Sequence, residues 1–565
     1  MRLLLTLLLL CLPAGASEPT RIDDVELPGR RRLTRVEADA LAIRIAMSPD
    51  IAANAGLFDE AARVPSFAPS AVATLVSRVE ADLDALAKMP WQGWSTDEQI
   101  DLRWTYAQLL EARRRLVVER AWEHRPGEWL EPVANTYLAL LTYAPERAHL
   151  RVAVTAKLPA LCQELRQGLT RPTARDVHTA LGLIDSLEGM VALDPPGPAR
   201  DAAAAALKDT AGWLSGLHDL PEFAVIGEAN YAWRLKHALL LPWTPDELLA
   251  LAQAELARVD AELAELTPQV EPLPEITEAQ RAEAATLDQA GVLRLYDGLV
   301  EENRAKLVAS GVLTVPDAMG PIRARPTPDA LIPLTGDGGS MNQAPTFGGS
   351  NVGWWNVEHM RPDSPIEDRE QTVFTFRNAT VSGIGPYAVH EGVPGHHLQL
   401  SIARLNPDPL RSVLMDSVMV EGWALYAEQL FWEAGGFGPS VRARVNMLRS
   451  WRFRIRRVIY DVNVETGRWS LQEAADWKYN AEPGKGAIDE DLLRSINWPT
   501  QLICYFSGKM QILALREATR AAQGEGWSAR AFHDGLLGVG SVPLVMARAK
   551  LTGEALPPLE GRADW

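Results

Sequence analysis

Cysteine is nearly absent, with three in 565 residues. That excludes a disulfide-stapled scaffold, and it leaves no room for a zinc site made of four thiolates. Basic residues are outnumbered: 56 Lys and Arg stand against 73 Asp and Glu, for a net charge of -17. This balance argues against a general binder of nucleic acid or of anionic membranes. After the N-terminus no apolar run is long enough for a transmembrane helix. Any metal site must therefore draw on carboxylates and on the ten histidines. The rest is ordinary: 47% hydrophobic and 23% charged residues suit a folded chain, not a disordered one.

The chain begins MRLLLTLLLLCLPAGA. Arg2, the apolar run Leu3 to Leu12 and the small residues Ala14-Gly15-Ala16 read as a secretory signal, with cleavage expected after Ala16. Cys11 follows Leu10 instead of a small residue, a poor match to a lipoprotein box. A secreted or periplasmic protein is expected ahead of a lipid-anchored one. The mature chain would keep Cys162 and Cys504, whose separation leaves a disulfide open.

From about residue 34 to 265, Ala, Leu, Arg and Glu recur at helical spacing. Ser95-Thr96-Asp97-Glu98 and Thr244-Pro245-Asp246-Glu247 are capping boxes, and Leu248, Ala252, Leu256, Val259 and Leu263 form an apolar stripe. The proline-bearing stretch Leu266 to Thr277 reads as a connection. Residues 311 to 385 are richer in Gly, Pro, Thr and Asn, with strand candidates at Gly353-Trp354-Trp355-Asn356-Val357 and Val373-Phe374-Thr375-Phe376. Helices return from Tyr387, with a capping box at Ser470 to Glu473.

Three histidines fall in one run, His390-Glu391-Gly392-Val393-Pro394-Gly395-His396-His397. Zinc peptidases use HExxH, where histidines at i and i+4 share a metal and the glutamate reaches its water. Here position i+4 is Pro394. On an unbroken helix His397, at i+7, returns to the right face but roughly 10 Å along the axis. Pro394-Gly395 would interrupt the helix. A bulge absorbing two residues would carry His396 to the i+4 place, so His396 is preferred over His397. Met419-Val420-Glu421-Gly422-Trp423 supplies a third ligand, Glu421, 25 residues after His396. Glu428 shares its helix face, as a partner to a ligand or as a solvated charge. Two histidines, one glutamate and an open position make a catalytic set, with Glu391 as general base.

The run HEGVPGHHLQL, then VEGWALYAEQL, RRVIYDVNVETGRWSLQEA and RSINWPTQLICYFSGKMQILALREA, resembles a large bacterial family. That family has been catalogued as domain of unknown function 885 and is grouped with the gluzincin metallopeptidases. The resemblance spans most of the mature chain and is most specific from about residue 340 to 520. It implies a mainly α (α+β) fold, a large helical body around a cleft with a small β-sheet insertion. It also implies exported peptidase-like activity. The expected organisation is a signal at 1–16, an N-terminal helical region at 17–270, and a zincin-like catalytic region at 271–565 with its sheet at about 311–385.

Tyr505 matches a family tyrosine, and the resemblance implies a phenol that stabilises an oxyanion, an effect worth about 2.7–4 kcal/mol. Gln501 is a weaker candidate for the same cleft. Arg457 and Asp461, at i and i+4, are candidates for substrate contact or for a simple helix salt bridge. Two positions depart from the family: Glu465 stands where members usually carry histidine, and Ser495 where they carry tyrosine after Arg494. The other seven histidines, including His149, His178, His218, His237 and His533, read as packing residues. Trp354-Trp355 reads as an edge strand able to pair with an extended peptide.

The reading is an exported zinc metallopeptidase with one Zn2+ per chain. His390, His396 and Glu421 would hold the metal, and Glu391 and Tyr505 would act on a peptide substrate through a metal-activated water. Neither a nucleic-acid partner nor a membrane span is expected. A non-catalytic envelope protein of the same fold, and a zinc hydrolase of other amides or esters, are the alternatives.

Overall fold

Reciprocal side-chain hydrogen bonds open many helices here, and a computed structural model, which describes residues 31–329, 332 and 336–562, shows them where the sequence places them. Ser95 and Glu98 close a capping box before α1 (Thr96–Arg113), and Thr244 and Glu247 close another before α2 (Pro245–Leu266). Ser470 and Glu473 do the same for the helix Leu471–Tyr479. Along α2, Leu248, Ala252 and Val259 are buried, and Leu256 and Leu263 lie half-buried beside them. The proline-bearing connection contains one 3-10 turn, Thr267–Gln269, before the chain turns helical again at Glu278–Ala285. Then comes α3 (Gln289–Ser310). The predicted signal, residues 1–16, lies outside the described residues.

Three strands follow: β1 (Ile322–Pro326), β2 (Ser340–Asn342) and β3 (Gly353–Val357). Their order is β1-β3-β2, with β3 parallel to β1 and antiparallel to β2. Two expectations fail here. Trp354-Trp355 lies in the central strand, paired on both sides, so it offers no free edge to a peptide. Trp355 is 1% exposed. Val373 to Phe376 is helical, inside α4 (Ile366–Arg377). Val373 packs into a small apolar cluster with Leu287, Val292 and Leu295, and this tertiary burial overrides a local run of strand-favouring side chains.

Later helices include α5 (Ile384–Glu391), α6 (His396–Arg404), α7 (Ser417–Glu433), α8 (Val441–Glu465), α9 (Glu490–Asn497) and α10 (Cys504–Gln523), which surround the site, and α11 (Leu544–Thr552), which lies apart from it. Asp416 caps α7 by accepting from Met419 N. α7 and α10 cross at two glycines. A Cβ on Gly422 would lie 2.4 Å from Gly508 Cα, so only bare backbone fits. This close approach sets Glu421, beside Gly422, against Tyr505, three residues before Gly508. One continuous apolar core runs from Val36 to Ala547. The fold is mainly helical with a small sheet, as expected. Cys162, in the helix Leu158–Gly168, and Cys504, at the start of α10, are both buried and free.

Candidate metal centre

The site begins with an interrupted helix. Pro394 has no N–H to continue α5. Gly395 N instead donates to Val389 O at 2.9 Å, six residues back instead of four, so two residues are looped out. A Cβ on Gly395 would sit 2.0 Å from His390 O, which leaves glycine as the only residue that fits. The Val393–Pro394 peptide is cis, and Trp423 Nε1 donates to Pro394 O at 2.8 Å, tying the loop to α7. His396 thereby takes the place of an i+4 residue. Its ring centroid lies 4.8 Å from that of His390, at an interplanar angle of 85°.

Glu421 completes the group: one ligand atom from each of His390, His396 and Glu421 lies within 4.8 Å of the others. Glu421 Oε2 is 3.5 Å from His396 Nε2 and 4.0 Å from His390 Nε2. That oxygen is buried and makes no hydrogen bond, whereas Gln501 Nε2 donates to Oε1 at 3.3 Å. Burial alone would raise the Glu421 carboxyl, but the His396 imidazole, then His390 and Tyr505, bring it down to about 2. Burial likewise works to lower His396, and Glu421 reverses it. On the far side of His390, Nδ1 lies 2.9 Å from Glu428 Oε1. A carboxylate there favours the tautomer with hydrogen on Nδ1 and leaves the Nε2 lone pair facing the cluster. A buried, orphaned carboxylate oxygen beside two imidazoles is a donor set that could hold a metal ion.

Other predicted residues surround this point. Glu391 is 7% exposed, and burial raises its carboxyl against the pull of His396 and His390. The Tyr505 ring stacks over His390 at 6.3 Å and 19°, and Arg494 Nη2 donates to its hydroxyl at 3.4 Å. Gln501 also lines a charged cavity of about 340 Å³ that includes Arg125, Glu128, Glu131, Arg234 and Trp498.

Some are not brought in. His397 turns away: its Nε2 lies 2.8 Å from Gly320 O, and burial lowers its pKa to about 4. Arg457 does reach the edge of the site, 5.3 Å from the Tyr505 ring centroid, but it and Asp461 do not pair along the helix. Arg457 binds Asp491 at 2.6 Å, and Asp461 accepts from the Tyr231 hydroxyl at 2.6 Å, because partners from other elements reach them first. Glu465 is fully buried and accepts from Ile226 N at 3.2 Å, and Ser495 Oγ donates to Leu492 O at 2.7 Å. His237 and His533 are packing residues as expected, but His149, His178 and His218 are exposed. Arg454 escaped the sequence reading. Its guanidinium carbon lies 5.2 Å from the Tyr505 ring centroid, and its charge acts on Glu391. The i, i+3 spacing of Arg454 and Arg457, both against Tyr505, was the available signal.

A family model described as "Bacterial protein of unknown function (DUF885)" matches residues 49–551. No curated protein matches the chain. A solved structure from Shewanella oneidensis, described as a "putative lipoprotein of unknown function", is 19% identical and covers 91% of this chain and 99% of its own, with a TM-score of 0.68. Another, a "putative lipoprotein" from Colwellia psychrerythraea, is 16% identical and covers 92% and 98%, also with a TM-score of 0.68. At these identities the likeness concerns the fold.

Proposed function

The chain belongs to the bacterial family of unknown function DUF885, and from that premise we propose that it is an exported zinc-dependent hydrolase of peptide bonds. The observation that carries the reading is the buried meeting of His390, His396 and Glu421, with Glu421 Oε2 lacking any hydrogen bond and Glu428 fixing the far nitrogen of His390. His390 Nε2, His396 and Glu421 would hold the ion. When bound, zinc supplies Lewis acidity toward water and toward a carbonyl oxygen.

The protein's own groups do the rest. The Glu391 carboxylate takes the proton of the attacking water and passes it to the leaving nitrogen. Its burial raises its proton affinity toward the working range of a general base. The Tyr505 hydroxyl, held by Arg494 and flanked by Arg454, donates to the oxygen that gains charge. Gln501 steadies Glu421, and Glu428 steadies His390. An envelope location is supported by the signal-like residues 1–16 and by the lipoprotein descriptions of both structural neighbours. No helix of the described residues is long and apolar enough to cross a membrane.

The test is the metal-loaded protein against a diverse peptide mixture, with cleavage read by mass spectrometry. Glu391→Gln should retain its zinc and lose turnover by about 10²- to 10⁴-fold. Full activity in that variant would refute the mechanism, and no cleavage by the zinc-loaded wild type would refute the peptidase assignment.

A further inference from the structure

Arg103 on α1 is 3% exposed, and its Nε and Nη1 atoms are buried without a hydrogen-bond partner. The Tyr106 ring centroid lies 5.6 Å from the guanidinium carbon. A buried cation in a folded chain is normally paired, because stripping its water without replacement is costly. The two other cations that line the same cavity have carboxylate partners. Arg548 binds Glu554 at 2.7 Å, and Lys236 lies 3.5 Å from Glu560. Arg103 instead lines a cavity of about 370 Å³. The walls are apolar: Leu240, Leu241, Trp243, Leu515, Leu544 and Val545. Pro557, Pro558 and Glu560 close one side, and that segment is pinned where Trp233 Nε1 donates to Gly561 O at 3.2 Å.

We propose that this cavity binds a small amphipathic monocarboxylate of the medium-chain fatty acid class, with its carboxylate on Arg103 and its hydrocarbon body against the leucine and tryptophan walls. The Glu560 carboxylate on the cavity wall acts on Arg103 without hydrogen-bonding to it. A guanidinium left without a hydrogen-bonded acceptor suits a carboxylate, which fits its planar fork through two parallel hydrogen bonds. The volume lies at the low end of ligand sites, about 300–1,000 Å³, which favours a single short body over a peptide segment. None of the lining residues belongs to the metal centre. The two sites share only α10, on which Leu515 lies about 15 Å along the axis from Tyr505. The proposal stands whether or not the hydrolase reading does.

Calorimetric titration of the full chain with octanoate, octanamide and acetate tests it. Octanoate should bind, and both the neutral amide and the bodiless anion should bind about tenfold more weakly or worse. Arg103→Met should weaken octanoate by about tenfold or more and leave octanamide unchanged. Ala514→Trp, which fills the cavity from its rim, should abolish both. Should Arg103→Met fail to fold, Ala514→Trp decides alone. Octanoate binding that is undetectable at millimolar concentration in the wild type, or unchanged in either folded variant, would overturn the site.

Discussion

Glu37, Asp101 and Asp408 gather as tightly as His390, His396 and Glu421, with ligand atoms within 4.8 Å of one another in both sets. The all-carboxylate set is answered from within the chain. Arg31 lies 2.5 Å from both Glu37 and Asp408, and Arg411 lies 2.6 Å from Asp101. In the histidine set no arginine or lysine among the described residues pairs with Glu421; only the His396 and His390 imidazoles face its Oε2, which makes no hydrogen bond. Proximity of metal-capable groups therefore does not identify a metal site. What neutralises the buried charge does, because a buried carboxylate needs a cation, a proton or a metal.

The sharpest way to break this contrast is to add zinc to the stripped protein and follow unfolding. The wild type should gain about 4 kcal/mol when free zinc stands a thousandfold above its Kd. His396→Ala should lose that gain, and Asp408→Ala should keep it. A zinc response that survives His396→Ala would place the metal elsewhere. Next in size, Asp408→Ala should cost about 2 kcal/mol in urea titration without metal, because it removes one carboxylate from the partly exposed Arg31 and the cap that accepts from Arg411 N. A cost near zero would mean that the arginines do not matter to that cluster. Glu428→Gln should weaken zinc binding by about 10–100-fold in competition with a chelator, since His390 loses its orienting carboxylate.

The smallest effect tests the third way of neutralising an acid. Among the described residues no arginine or lysine forms an ion pair with Asp461 or Glu465, and burial pushes them up to about 7 and about 8. The folded state thus keeps protons that the unfolded chain releases above about pH 4. Their contribution is complete below that pH and is lost as pH rises through 7 and 8. In chelator, stability should fall between pH 5 and 9, and Glu465→Gln should flatten the upper part of that fall by about 1 kcal/mol. An unchanged slope would show that Glu465 is ionised in the folded protein.

Local chemistry was legible in the sequence. Capping boxes are written within four residues, and all three predicted ones form. The preference for His396 rested on Pro394-Gly395, and the loop does absorb two residues there. Features made by distant partners were not legible. Trp354-Trp355 looks like an edge until β1, some thirty residues earlier, pairs with it. Arg457 and Asp461 have the spacing of a helix salt bridge, but Asp491 and Tyr231 take them. Nothing in the α1 sequence marks Arg103 as lacking a hydrogen-bond partner, because it is the packing of the 236–243 segment, α10, α11 and the 557–560 segment that encloses it.

The bare contact between Gly422 and Gly508 bears on motion as well as on packing. No side chain lies between α7 and α10 at that point, so nothing there can change rotamer to let them slide. Glu421 and Tyr505 ride on a single stiff beam. Any flexing around the site has to happen elsewhere, and these two groups travel together.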